Sequence, residues 1–235
     1  MADLQKMPPI QVTEAELLPF GNKWQELGER LSRTPPYSSG QLGELFDAHV
    51  GKALANFLGN IPVIRPSPND LLPREVDAVE VGPARIVGGV RPQNFDVAYR
   101  PDGVRFAFDS KTLNDAKSIG KNYQNMINDL ATEATTVHTR FPYAIVAFMV
   151  IVPEPALLQT QEAALVRTLE RLTNRSGTDE PHHLAEVIAF VVWHPDSGTI
   201  DTRVPSADSP LRLEKFSSQV EQRYVERYKG LPPHD

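Results

Sequence analysis

Asp96, Asp109 and Lys111 have the types and spacing to grip a cation, and all three fall in the stretch NFDVAYRPDGVRFAFDSK, residues 94–111. Pro101-Asp102-Gly103 is a turn signal, so the stretch predicts two short strands joined by a tight hairpin. With an even-numbered loop centred on Asp102 and Gly103, opposed residues have numbers that sum to 205. Val97 then faces Phe108 and Tyr99 faces Phe106, giving one apolar face. On the other face Ala98 meets Ala107 and Asp96 meets Asp109, because strand side chains alternate. Two carboxylates opposed on a sheet have Cβ atoms about 5 Å apart and repel. Lys111, two residues beyond Asp109, shares their face. A divalent cation of the Mg2+ type removes the repulsion, since hard cations take oxygen ligands. The plainer alternative is a solvated strand face. Asp115-Ala116-Lys117 repeats the tripeptide nearby with no opposed carboxylate, so the pairing carries the signal and not the tripeptide.

An Asp on one strand followed by Asp-x-Lys on the next resembles the PD-(D/E)xK nuclease superfamily, the fold of many restriction endonucleases. Phe95-Asp96 stands where that family often has Pro-Asp, and Asp109-Ser110-Lys111 fits the second half. The resemblance implies an α/β fold: a restriction-endonuclease-like αβββαβ core whose central mixed β-sheet is flanked by helices. It implies a Mg2+-dependent endonuclease that hydrolyses phosphodiester bonds of double-stranded DNA. The first reading is a type II restriction endonuclease acting as a homodimer. A repair, junction-resolving or mobile-element nuclease of the same superfamily is the second. A catalytically inert DNA-binding or protein-interaction module is the third. By the resemblance, Asp96 and Asp109 hold the metal together with the backbone carbonyl of Ser110, and Lys111 sits beside the attacking water and the phosphate. Relatives often add a Glu from the opening helix, and Glu44 is the matching candidate.

The elements that must position these groups follow from periodicity. Residues 41–59, QLGELFDAHVGKALANFLG, carry a broad apolar stripe closed by Gly59 and read as a strong helix. Glu44 lies opposite that stripe, on a face shared with Ala48, Gly51 and Ala55, small enough to approach a sheet. Residues 75–81, EVDAVEV, alternate strictly and read as a strand, with Asp77 as a lesser acidic candidate; residues 85–90 read as another. Residues 115–136 form a second helix with Ile119, Tyr123, Ile127 and Leu130 on one stripe. Lys117, Lys121, Gln124 and Asn128 lie on a different face, where the phosphates of a scissile strand would pass. Residues 141–152, FPYAIVAFMVIV, read as a strand buried on both sides. A further helix (156–174), a buried strand (186–193), a turn with a return strand (199–204) and a terminal helix (213–229) follow.

Upstream, Thr13 to Glu16 is a capping box that Pro19 should cut short, and residues 22–33 are the better helix, with Trp24 as a packing anchor. His49 borders the apolar stripe of 41–59 and reads as a packed, hydrogen-bonded histidine. Residues 1–12 read as a loose arm. The proline-rich stretch 60–74 reads as an ordered loop in which Arg65 and Arg74 could reach a phosphate or a guanine edge.

The whole reads as a single domain over residues 1–235. Its core is about 41–152, with an arm and helix before it (1–40) and strand and helix additions after it (153–235). The absence of cysteine excludes disulfides and thiolate metal sites and fits a cytoplasmic location. No apolar run is long enough for a membrane helix, so no membrane partner is expected. The net charge of −6 argues mildly against nucleic acid, yet binding depends on a local patch rather than on the total.

Overall fold

A computed structural model describes residues 3–67 and 69–234. They form an α/β structure: one seven-stranded mixed sheet flanked by helices. The strands are β1 (Val63–Ile64), β2 (Val79–Val87), β3 (Pro92–Tyr99), β4 (Phe106–Thr112), β5 (Ile145–Pro153), β6 (Val187–His194) and β7 (Thr199–Ile200). They lie in the sheet in chain order. Pairs β1–β2, β4–β5 and β5–β6 are parallel, and β2–β3, β3–β4 and β6–β7 are antiparallel.

The helices are α1 (Glu14–Glu26), α2 (Ser39–Phe57), α3 (Ile119–His138), α4 (Gln159–Leu172) and α5 (Leu213–Tyr228). Helix α2 lies close on one face of the sheet. A Cβ at Gly43 would meet the Ser110 hydroxyl at 2.9 Å, and one at Gly51 would meet Val81 Cγ2 at 2.2 Å. Helix α5 covers the same face, with Phe216 edge-on to Phe108 and Tyr224 edge-on to Phe57. Helix α3 covers the other face and packs on α4. Strand β5 is buried at every position, as a wholly apolar parallel strand should be. No helix among the described residues is long and apolar enough to cross a membrane.

Several expectations are corrected. Pro19 does not end a helix: α1 runs from the Thr13 capping box through it, because Leu17, Phe20, Gly21 and Trp24 bury one face. Trp24 does anchor packing, donating its indole N–H to the Asn114 carbonyl at 2.7 Å. The arm is not loose. Gln5 N donates to Phe57 O, Met7 N donates to Glu221 Oε2, and Met7 and Ile10 are buried. Residues 75–78 are turn and bend rather than strand, since β3 ends at Tyr99 opposite Val79 and offers them no partner. The two strands expected over 75–81 and 85–90 are one strand, β2, with an irregularity between Val81 and Ala84. Helix α3 begins at Ile119, so Lys117 lies in the turn before it. The return strand β7 is only two residues long.

Glu186, just before β6, is fully buried, accepts from three groups and meets a fourth. Oε1 takes Arg175 (2.8 Å) and Arg227 (2.9 Å); Oε2 takes the Val146 N–H (2.8 Å) and lies 3.1 Å from His138 Nε2. Burial alone would raise its carboxyl, but His138 and Arg227 beside it hold it below the usual carboxylate range. This cluster ties α3, α5 and both central parallel strands together.

Candidate active site

The hairpin pairs as its turn residues dictate: Val97 with Phe108, Ala98 with Ala107 and Tyr99 with Phe106. Pairing then stops. Strand β3 continues against β2 only, through Phe95 with Ala84, while β4 continues against β5 only, through Asp109 with Phe148. The sheet forks at the level of Asp96 and Asp109. On the β2 side, Val81 pairs with Val97 and Ala84 with Phe95, so Gly82 and Pro83 bulge opposite Asp96. Gly82 takes φ +121°, a conformation that side chains resist. Asp96 therefore has a register partner on neither neighbour. Bulges re-aim side chains in this way.

Released from both ladders, the Asp96 carboxylate accepts the backbone N–H of Ser110 at 3.0 Å. Burial and then the Asp109 charge close beside it raise the Asp96 carboxyl. Lys111 Nζ lies 2.6 Å from Asp109 Oδ2. The structure thus brings Asp96, Asp109, Ser110 and Lys111 into one cluster.

Two acids absent from the sequence reading complete it. Asp47 comes from α2, is buried, and touches the Ser110 hydroxyl. Glu133 comes from α3, is also buried, and sits 2.9 Å from Lys111 Nζ. Gln93 Nε2 donates to the same Glu133 oxygen at 3.0 Å. The sequence did hold a signal for both. Asp47 lies four residues from Gly43 and from Gly51, the two glycines at which α2 meets the sheet. Glu133 lies within the buried stripe Met126, Leu130, Ala134 and Val137.

The cluster thus holds four acids and one ammonium, which only Asp109 and Glu133 contact, and the ionisation of the acids shows the strain. Burial, then the Asp96 charge, pushes Asp47 up to about 9. Burial, then the Asp109 charge, pushes Asp96 up to about 7. Burial pushes Asp109 up to about 6, against the pull of Lys111. Burial would lower the Lys111 ammonium, but Asp109 and Glu133 outweigh it and hold the group above the ordinary lysine range.

The donor set fits a hard divalent cation in its chemistry. All donors are oxygens, the acids repel one another, and Asp47 Oδ1 is a buried carboxylate oxygen with no hydrogen-bond partner. As they stand, however, no three His, Cys, Asp or Glu side chains among the described residues form a group that could hold a metal ion.

The remaining candidates lie outside the cluster. Glu44 is exposed on α2, and the acid which that helix gives to the site is Asp47, three residues on. Asp77 accepts the Tyr99 hydroxyl instead. Lys117, Lys121 and Gln124 are exposed. Gln124 precedes Glu133 by nine residues, about 14 Å along the helix and half a turn round it, so it points away from Lys111. Arg65 is exposed and runs along the bulge, 3.5 Å from where a Gly82 Cβ would lie. Arg74 is exposed and paired with Asp70 at 2.8 Å. His49 meets Glu16 at 3.0 Å.

No family model matches the chain, and no match is found among curated proteins or among solved structures.

Proposed function

We propose that the protein is a Mg2+-dependent endonuclease acting on phosphodiester bonds of double-stranded DNA, with a restriction-endonuclease-like core of the PD-(D/E)xK kind. One observation carries the reading: Asp96, freed from β2 by the bulge and from β4 where that ladder stops, meets Asp109 and Lys111 at the fork between β3 and β4. The element order supports it, since α2, the three antiparallel strands β2–β4, α3 and β5 follow one another in the αβββαβ sequence once the two-residue edge strand β1 between α2 and β2 is set aside. A type II restriction enzyme working as a homodimer is the favoured form, because cutting both strands of a palindrome is most simply done with two-fold symmetry.

In this reading Asp96 and Asp109 hold the cation, the Ser110 carbonyl lies next to them, and Asp47 replaces Glu44 as the helical acid. A bound divalent cation supplies positive charge at the phosphate and makes water more acidic. Water adds to phosphorus, one P–O ester bond breaks, and the departing oxygen takes a proton. Lys111 orients that water and offsets the charge that gathers on the phosphoryl oxygens, a preorganised electrostatic role. Lys117, Lys121 and Arg65 are exposed cations available to backbone phosphates, which fix register rather than sequence, and Arg74 would join them by leaving Asp70.

The test is incubation of supercoiled plasmid with the protein in Mg2+ or in EDTA, followed by sequencing of the ends. Cleavage in Mg2+ alone is expected, and Asp109→Ala and Lys111→Ala should each abolish it while leaving the circular dichroism spectrum unchanged. Full activity in either variant sinks the assignment. An inert binding module is the competing reading, favoured by the lack of a three-acid metal group among the described residues. DNA binding without cleavage in any divalent cation would establish it instead.

A further inference from the structure

We propose that Glu133 is a positioning residue that, together with Gln93, fixes the Lys111 ammonium against Asp109. The role of that ammonium toward phosphate rests on the nuclease reading; the clamp itself rests on geometry.

A lysine ammonium is a compact charge on a flexible four-carbon stem, and it loses much rotamer freedom when held in one place. A single carboxylate leaves it free to pivot about that partner. Here it has two: Asp109 Oδ2 at 2.6 Å on its own strand, and Glu133 Oε1 at 2.9 Å from the helix above. Gln93 from β3 holds the second partner in turn, donating to Glu133 Oε1 at 3.0 Å. Two strands that no longer pair with each other are therefore bridged through one helical side chain, across the fork where Asp96 and Asp109 meet. The clamp sets where the amine can point within the fork.

Fold stability does not account for an acid at this place. Glu133 is 3 % exposed, stands among Met126, Leu130, Ala134 and Val137, and its Oε2 has no hydrogen-bond partner. Burying a carboxylate there is costly, and buried ion pairs can often be replaced by apolar side chains with no loss of stability. A role in orienting the amine explains why the costly group is there.

The experiment uses the full chain and two readouts. The first is kcat and KM for plasmid cleavage in Mg2+. The second is the side-chain ammonium signal of Lys111 in 15N NMR without metal. In wild type the two carboxylates protect that signal from exchange with water, and in Glu133→Gln it broadens. Glu133→Gln should lower kcat roughly 30-fold with KM within twofold, the size expected when a reacting group is misplaced by a fraction of an ångström. Gln93→Leu should give a smaller loss of kcat. Joined to Glu133→Gln it should add little, because both act through one ammonium. Unchanged kcat with an unchanged Lys111 signal overturns the proposal. So does a rise in KM alone, which would make Glu133 a binding group. A wild type that cuts no DNA, yet shows a protected ammonium lost in Glu133→Gln, sinks the nuclease reading and upholds the clamp. Should Glu133→Gln fail to fold, Gln93→Leu, at a half-buried position, carries the test with the same two readouts.

Discussion

Asp47 makes the site sensitive to pH in a direction that can be worked out. Its carboxyl is pushed up to about 9, whereas an unfolded aspartate ionises near 4. Between those values the native state holds a proton that the unfolded chain has released. Stability from this group is full below about pH 4 and is lost as pH rises toward 9, with a limiting slope of about 1.4 kcal/mol per pH unit. Asp47→Asn should flatten the fall in urea-unfolding free energy between pH 6 and 8.5. A wild-type protein whose stability is level over that range contradicts the shift. Mg2+ should do at high pH what the proton does at low pH. If the proposed cation binds here, its apparent affinity should therefore rise as Asp96, pushed up to about 7, gives up its proton. Calorimetry in two buffers of different ionisation enthalpy counts the protons released; none released would remove Asp96 from the cation site.

At the scale of elements, the close seat of α2 on the sheet depends on Gly43 and Gly51. Gly51→Ala gains helix propensity but places a methyl 2.2 Å from Val81 Cγ2, on a stiff β-branched side chain. A net loss of about 1–2 kcal/mol is expected. Val81→Ala should restore most of it in the double variant; a Gly51→Ala protein as stable as wild type would show that α2 moves freely. This scale also separates what the sequence displayed from what it hid. The register of the hairpin's inner pairs is legible because Asp102-Gly103 centres the loop, but counting on to pair Asp96 with Asp109 fails: the ladder stops at Val97 and Phe108, and the two acids meet across a fork instead. Asp47 and Glu133 were not read, since an acid inside an apolar stripe has meaning only once its partner on another element is known. A family habit points to Glu44, whereas Gly43 and Gly51 flank Asp47 at helical spacing. The strand expected at 75–78 failed for a related reason. Alternation shows that a segment can pair, but β3 had already ended at Tyr99. Pro19 was overruled by the buried face of α1, a tertiary effect that local propensity does not contain.

At the scale of the molecule, the two ends of the chain are tied to one core. The segment around Met7 runs between α2 and α5, and Arg227 of α5 reaches Glu186 beneath β5 and β6. Removing one partner from such a buried cluster leaves uncompensated charge. Glu186→Gln, which keeps the shape but strands two guanidinium groups, should cost about 3–5 kcal/mol in urea unfolding. A cost under about 1 kcal/mol would mean that water replaces the carboxylate, contrary to its complete burial.

The order of the strands bears on how such a chain is made. Each strand joins the sheet beside the one synthesised just before it, so none has to wedge between two already in place. A nascent chain emerging N-terminus first can add to a single growing edge. It would have its acidic fork and the β5 strand beside it before the residues of α5 exist. Helix α5 follows every strand in the chain, so until it emerges the rings of Phe108 and Phe57 lack the edges that Phe216 and Tyr224 lay against them.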